Sequence, residues 1–182
     1  MLMAASPPAS EAGGFGPIVV MGVSGCGKSS VGERLADYLG CGFIEGDGLH
    51  PPSNVRKMRM GTPLEDEDRW PWLDAFGHRL AGTGDIVVSC SALKRTYRDR
   101  LRSLSGRPMT FVFLQGDRML LAARMAARKH EYMPLSLLDS QLATLELPTT
   151  EPDVATVDIN QSLESIVSMA MTLLAARQRR SN

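Results

Sequence analysis

An α/β domain, three layers deep around a five-stranded parallel sheet, is the architecture this 182-residue sequence predicts. Three observations predict it. Five short apolar runs recur along the chain, each followed by a segment with helical spacing. The octapeptide 22–29, G-V-S-G-C-G-K-S, separates the first run from the first helical segment and fits G-x-x-x-x-G-K-[ST]. Polar residues with useful chemistry follow the first three runs directly. In a parallel sheet they converge on one edge, where ligands of such sheets sit.

The elements follow in order. Ile18, Val19, Val20 and Met21 form the first strand. Val31, Leu35, Ala36 and Leu39 give the first helix an apolar face, and Gly40 is its C-cap. Residues 41–45 read as the second strand. A turn-rich stretch then carries Glu45, Asp47 and His50, and Pro51 and Pro52 open a helix with Arg56, Lys57 and Arg59. Asp66, Glu67 and Asp68 charge the N-terminus of the next helix, which turns Trp72, Leu73, Phe76 and Leu80 towards the core. The third strand, 86–88, leads into Ser89, Cys90, Ser91, Ala92, Leu93 and Lys94, then a helix over 95–104. A fourth strand, 110–114, precedes a helix over 117–129. Residues 130–134 interrupt the pattern, 135–145 resume it, 154–159 form the fifth strand, and 162–177 close the chain with an apolar helix face.

Lysine plus arginine and aspartate plus glutamate number 20 each, so the formal net charge is zero. No overall basic field draws the chain to nucleic acid or an anionic membrane. No apolar run approaches the length of a membrane span. Three cysteines, Cys26, Cys41 and Cys90, are an odd number without metal-ligand spacing, which fits a reduced, cytoplasmic protein. Cys26 reads as a small filler of its loop, or else as an oxidant-accessible thiol. Residues 1–16 are rich in Ala, Ser, Pro and Gly without a signal-peptide pattern. They read as a flexible tail ahead of a single domain over 17–178.

The glycine-rich loop predicts a nucleoside triphosphate, ATP with Mg²⁺. Glycines let backbone N–H groups approach phosphate oxygens, and the following helix adds its positive end. The predicted cofactor-binding set is Gly22, Val23, Ser24, Gly25, Cys26, Gly27, Lys28, Ser29 and Ser30. Lys28 is the cation for the β- and γ-phosphates and Ser29 the hydroxyl for Mg²⁺. A dinucleotide loop is excluded because Ser30 stands where its third glycine belongs. A GTPase is excluded because N-K-x-D is missing, and the D-x-x-G of Asp37 and Gly40 ends a helix. Most motor ATPases are larger. What remains is a small-molecule kinase with a lid at about 124–146. Arg124 and Arg128, one helical turn apart, are its catalytic candidates for neutralising the moving phosphoryl group, against the plainer reading of a solvated face.

Six segments carry a specific resemblance: the loop from Gly22, F-I-E-G-D-G-L-H-P from Phe43, N-V-R-K-M from Asn54, G-T-P-L-E-D-E-D-R-W-P-W-L from Gly61, C-S-A-L-K-R-T-Y-R-D-R-L-R from Cys90, and L-L-D-S-Q-L-A-T-L-E from Leu137. In this order and over nearly the whole chain, the sequence resembles the small bacterial gluconokinase family. The resemblance implies a nucleoside-monophosphate-kinase-like core and transfer of the ATP γ-phosphate to the 6-hydroxyl of D-gluconate, the step that feeds the pentose phosphate or Entner–Doudoroff route. It also implies a cytoplasmic location and often a homodimer.

On that footing Asp47 is the expected acceptor of the hydroxyl proton and Glu45 acts on the Mg²⁺ side through water; capping of the following turn is the alternative for both. Arg56, Lys94 and Arg98 are the candidate cations for the substrate carboxylate, with His50 as a hydroxyl partner or a structural turn residue. Arg69 and Asp68 are expected to pair with each other, outside the site. One departure lies in the lid, where the family's R-K-G-H-F-M-P is replaced by R-K-H-E-Y-M-P from Arg128. The alternatives are a kinase for a nucleotide or another hydroxy acid such as shikimate, whose site wants a glycine triplet where Ser89, Cys90 and Ser91 stand, or a non-catalytic ATP-binding regulator.

Overall fold

The computed structural model describes residues 14–127 and 134–181. Five strands form one parallel sheet: β1 (Pro17–Met21), β2 (Gly42–Glu45), β3 (Ile86–Ser89), β4 (Thr110–Gln115) and β5 (Val154–Asp158). Their spatial order is β2-β3-β1-β4-β5, with β1 central and paired to β3 and β4. All pairings are parallel, so the strand C-termini share one edge.

The first strand explains the layering. Pro17–Met21 is buried throughout. Ile18 and Val20 join a core with Val31 and Leu35 of α1 (Lys28–Leu39) and Ile166 and Val167 of α7 (Leu163–Ser181). Val19 and Met21 join a second core on the other face, with Trp72, Leu73 and Phe76 of α3 (Asp66–Ala81) and Tyr97 and Leu101 of α4 (Arg95–Ser105). An unbroken apolar strand is what a sheet covered on both faces requires.

Helix ends follow local chemistry. Gly40 takes a left-handed conformation (φ 64°) and its N–H closes α1 onto the carbonyls of Ala36 and Asp37. That is the whole role of the D-x-x-G there. Glu65 and Asp68 form a reciprocal capping box at the start of α3. Asp117 accepts from the Leu120 N–H at 2.7 Å, so α5 (Arg118–Ala126) begins one residue past the expected start. A single 3₁₀ turn, Gly46–Leu49, links β2 to α2 (Pro52–Arg59); sequence periodicity does not detect so short an element.

Two expected boundaries fall within packed structure. Phe15 packs against the first core and the Gly16 N–H donates to Asp85 at 2.9 Å, so the ordered domain includes residues 14–16, which the sequence assigns to a tail. Within the expected lid, α6 (Leu135–Thr144) is tied into the body of the protein. Leu137 and Leu138 are buried, and the Glu146 N–H beyond the helix donates to the Leu93 carbonyl at 2.9 Å. It is anchored as a wall. Arg128 and the departure at 130–131 lie outside the described residues.

Candidate active site

The glycine-rich loop turns from β1 into α1 by left-handed backbone. At Gly25 (φ 82°) a Cβ would press on Met125 at 2.9 Å and on the Leu121 carbonyl at 3.1 Å, so α5 packs directly on the loop. Gly27 (φ 95°) is the N-cap of α1, and the helix opens with Lys28 and Ser29. N–H groups in a first helical turn lack intrahelical acceptors and are therefore available to phosphate oxygens. Lys28 folds across the loop and donates to the Val23 carbonyl at 3.1 Å. The Gly22 N–H donates to the Ser91 carbonyl at 3.3 Å, which ties the loop to the segment after β3.

Two members of the predicted cofactor set are otherwise occupied. The Ser24 N–H donates to Oε1 of Gln141 on α6 at 2.7 Å, so this amide serves the α6 wall. Cys26 is fully buried, which pushes its thiol pKa up, and its Sγ lies where a Cβ on Gly22 would fall. It fills the loop, and the oxidant-accessible alternative fails on burial.

One cavity brings together Lys28, Asp47, His50, Arg69, Ser91, Gln141 and Thr144, drawn from the loop, the 3₁₀ turn, α3, the β3–α4 connection and α6. Asp47 is exposed on the 3₁₀ turn. That turn is placed by its neighbours. Gly46 donates to Ser89 Oγ at 3.0 Å, its carbonyl accepts from Trp72 Nε1 at 3.1 Å, and a Cβ on it would strike the Ser89 carbonyl. Ser89 in turn donates to the Glu45 carboxylate. Glu45 is thus fixed at the end of β2, beside the cavity lining and outside it. His50 stacks on Trp72 with ring centroids 4.1 Å apart. Burial, opposed by Asp47 and reinforced by Arg69, pushes its pKa down to about 4, so it is neutral at physiological pH.

Arg98, one of the three expected carboxylate-binding cations, is committed elsewhere, and this corrects the sequence reading for that residue. Arg98 is fully buried and chelates Glu151 through Nε and Nη2, while Nη1 donates to the carbonyls of Ala92 at 2.8 Å and Leu93 at 3.0 Å and Nη2 to that of Glu146 at 3.1 Å. All its donors are engaged, leaving none for a ligand. Lys94 pairs with Asp66 at 2.7 Å and Arg56 is exposed on α2; neither lines the cavity. Ala92 is the one non-glycine residue at positive φ (43°) among the described residues, and Arg98 clamps it.

Arg69 is a buried cation that lines the cavity. Its Nε donates to the Leu64 carbonyl at 3.4 Å and its guanidinium is 5.5 Å from the Tyr97 ring centre. The expected pairing with Asp68 does not form, because Asp68 binds Lys57 at 2.7 Å, and Asp66 binds Lys94. Among the described residues no carboxylate pairs with Arg69. A signal for it lies in the sequence: with Trp72, Leu73, Phe76 and Leu80 buried, position 69 falls on the same helix face. Gln141 is likewise on the face of Leu137 and Leu138. Arg124 donates to the Ile159 carbonyl at 2.6 Å, joining α5 to the loop before α7.

No group of three or more His, Cys, Asp or Glu among the described residues could cage a metal ion. Mg²⁺ carried on phosphates needs only one or two protein oxygens. Ser29, half-buried in the first turn of α1 with its hydroxyl in no hydrogen bond to the described residues, fits that need.

The family model described as an AAA domain matches residues 18–148. A crystal structure of a gluconokinase from Sinorhizobium meliloti 1021 is 55% identical and superposes with a TM-score of 0.86, over 91% of this chain and 94% of that one. The gluconokinase of Gluconobacter oxydans (strain 621H) is 48% identical over 77% of this chain and 80% of its own. The thermosensitive gluconokinase of Escherichia coli (strain K12) is 42% identical over 89% of each.

Proposed function

The chain belongs to the gluconokinase family, and on that premise we propose that its cavity transfers the γ-phosphoryl group of ATP to the 6-hydroxyl of D-gluconate. The observation that carries the reading is a single cavity lined by two cations, Lys28 and Arg69, one carboxylate, Asp47, and one neutral imidazole, His50. A polyhydroxy carboxylate matches that set.

Lys28 and the amides that open α1 hold the β- and γ-phosphates and spread the charge that builds on the phosphoryl oxygens. Arg69, desolvated and without an acidic partner, receives the gluconate carboxylate through its guanidinium fork. His50 takes a sugar hydroxyl. Asp47 orients the 6-hydroxyl; as its oxygen bonds to the γ-phosphorus and the bond to the ADP oxygen breaks, the hydroxyl proton passes to the Asp47 carboxylate. A bound Mg²⁺ would supply charge neutralisation of the phosphates. Ser29 would supply its protein ligand, and Glu45, held by Ser89, would act through water. Arg124, tied to the Ile159 carbonyl, is assigned to the moving phosphoryl group, and with the segment around Asn160 it flanks the adenine. Arg128, outside the described residues, is assigned the same phosphoryl-group role from the sequence alone. The homodimer and the cytoplasmic location implied by the family complete the proposal; no helix among the described residues is long and apolar enough to cross a membrane.

An ADP-release assay with Mg-ATP tests the reading. Gluconate turns over at roughly 1–100 per second, the range of kinases, while shikimate, neutral sugars and nucleoside monophosphates give background rates. A preferred acceptor without a carboxylate would overturn the role of Arg69, and ATP binding with no productive acceptor would overturn the enzyme assignment.

A further inference from the structure

The edge of the cavity holds a chain of hydrogen bonds whose directions are fixed by chemistry. Asn54 of α2 is buried, with Nδ2 2.7 Å from the Asp68 carbonyl oxygen and 3.4 Å from Nδ1 of His50. A carbonyl oxygen only accepts, so the Asn54 group beside it is the NH₂. One of its hydrogens goes to Asp68 and the other points at His50. A ring nitrogen that accepts a hydrogen bond carries no proton. His50 is neutral, since burial holds its pKa at about 4, so its one proton resides on Nε2. The ring is also kept from turning over. It lies flat on Trp72, with 17° between the planes, and Trp72 is itself tied through Nε1 to the Gly46 carbonyl. Nε2 has no partner among the described residues, and His50 lines the cavity.

We propose that Asn54 is a positioning residue that locks His50 in the Nε2–H tautomer, so that the imidazole enters the cavity as a hydrogen-bond donor only. The inference rests on the gluconokinase reading for the identity of the oxygen that accepts. Hydroxyl and carboxylate oxygens satisfy such a donor; an ammonium group at the same position meets a proton and no lone pair. The lock therefore discriminates polyhydroxy acids from their amino-substituted analogues. It also removes His50 as a proton acceptor and leaves that role to Asp47, the one carboxylate lining the cavity among the described residues. The charged groups around the ring are Asp47 from its own turn, Arg69 from α3 and Lys28 from the loop.

The test is two-bond ¹H–¹⁵N correlation of the histidine rings in the full-length protein at neutral pH. The chain has three histidines, and loss of one ring pattern in His50→Gln assigns its signal. The expected result is the Nε2–H pattern in the free wild type, and a mixture of tautomers in Asn54→Ala with the KM for gluconate raised about tenfold and that for ATP unchanged. An Nδ1–H or imidazolium pattern in the wild type overturns the lock, as does an unchanged pattern in Asn54→Ala, the outcome if Asn54 merely joins α2 to α3. Should Asn54→Ala not fold, the wild-type spectrum decides alone. The free-protein spectrum involves no substrate, so it judges the lock independently of the proposed activity. Gluconate added to saturation should shift Nε2; a ring signal indifferent to it overturns donation to the substrate and leaves the tautomer assignment standing.

Discussion

Two arginines enter the interior of this protein and end in opposite situations. Arg98 of α4 is surrounded by acceptors: the Glu151 carboxylate and three backbone carbonyls consume every N–H it has. Glu151 also accepts from Arg102, which continues to Asp153 and Asp99. Arg69 of α3 is buried with one long hydrogen bond and no paired carboxylate, facing a cavity. A buried cation without an anion is costly. The fold tolerates it where a ligand supplies the missing charge. Residue type and location in a family-like segment do not tell these arginines apart; their remaining donors do.

The contrast is broken most forcefully at Arg98. Arg98→Met leaves the Glu151 carboxylate buried without its main partner and should cost about 3–5 kcal/mol of stability, lowering Tm by roughly 6–20 °C in calorimetry. It also frees the Ala92 turn, whose neighbour Ser91 holds the glycine loop. An unchanged Tm with a raised KM for gluconate would reverse the assignment of the two arginines.

Arg69→Met should act in the opposite column. Loss of a charge-assisted contact of about 1.5–3 kcal/mol lowers kcat/KM for gluconate by roughly 10- to 150-fold, with the KM for ATP and the Tm near wild type. Steady-state kinetics with each substrate varied in turn checks this. Equal losses for both substrates would make Arg69 structural.

The smallest effect is one of pH. Burial alone would raise the Glu151 pKa, but hydrogen bonds from Arg98 and Arg102 outweigh it and hold the carboxyl below its ordinary value. A depressed folded-state pKa gives stability that is complete above the unfolded value, about 4.3, and is lost as pH falls through the folded one. Tm should therefore be level above about pH 5 and decline below about pH 4. Arg98→Met should flatten that acid limb and Arg69→Met should leave it unaltered; acid titrations followed by circular dichroism separate the two.

How far the sequence carries is visible in particular residues. The strands and helices are readable because their signals are local: the apolar run at Ile18–Met21 in the first strand, the spacing of Trp72, Leu73, Phe76 and Leu80, the glycine at position 40. Lys28, Asp47 and His50 are readable because each follows a strand by a few residues and the parallel sheet aligns those ends. Arg98 misleads because its partner, Glu151, lies in a loop that no local pattern links to α4. Arg69 is passed over because Asp68 stands beside it, and only the fold shows Lys57 taking that carboxylate. Gln141 and Asn54 matter through contacts with Ser24 and Asp68, both across element boundaries. Pairing between distant segments is the information that periodicity lacks.

The sheet order has a consequence for the making of the protein. Of the five strands the central one leaves the ribosome first, and both of its neighbours come much later. At about 5–20 residues per second, translation runs on the order of 5–20 seconds between Met21 and Gln115. During that interval the glycine loop has neither the Ser91 carbonyl that fixes its first residue nor the α5 surface that fixes its turn. A nascent chain arrested before β4 should not retain a nucleotide, whereas one carried through α7 should, so the capacity to hold ATP arises as a late event in synthesis although its motif is written near the start.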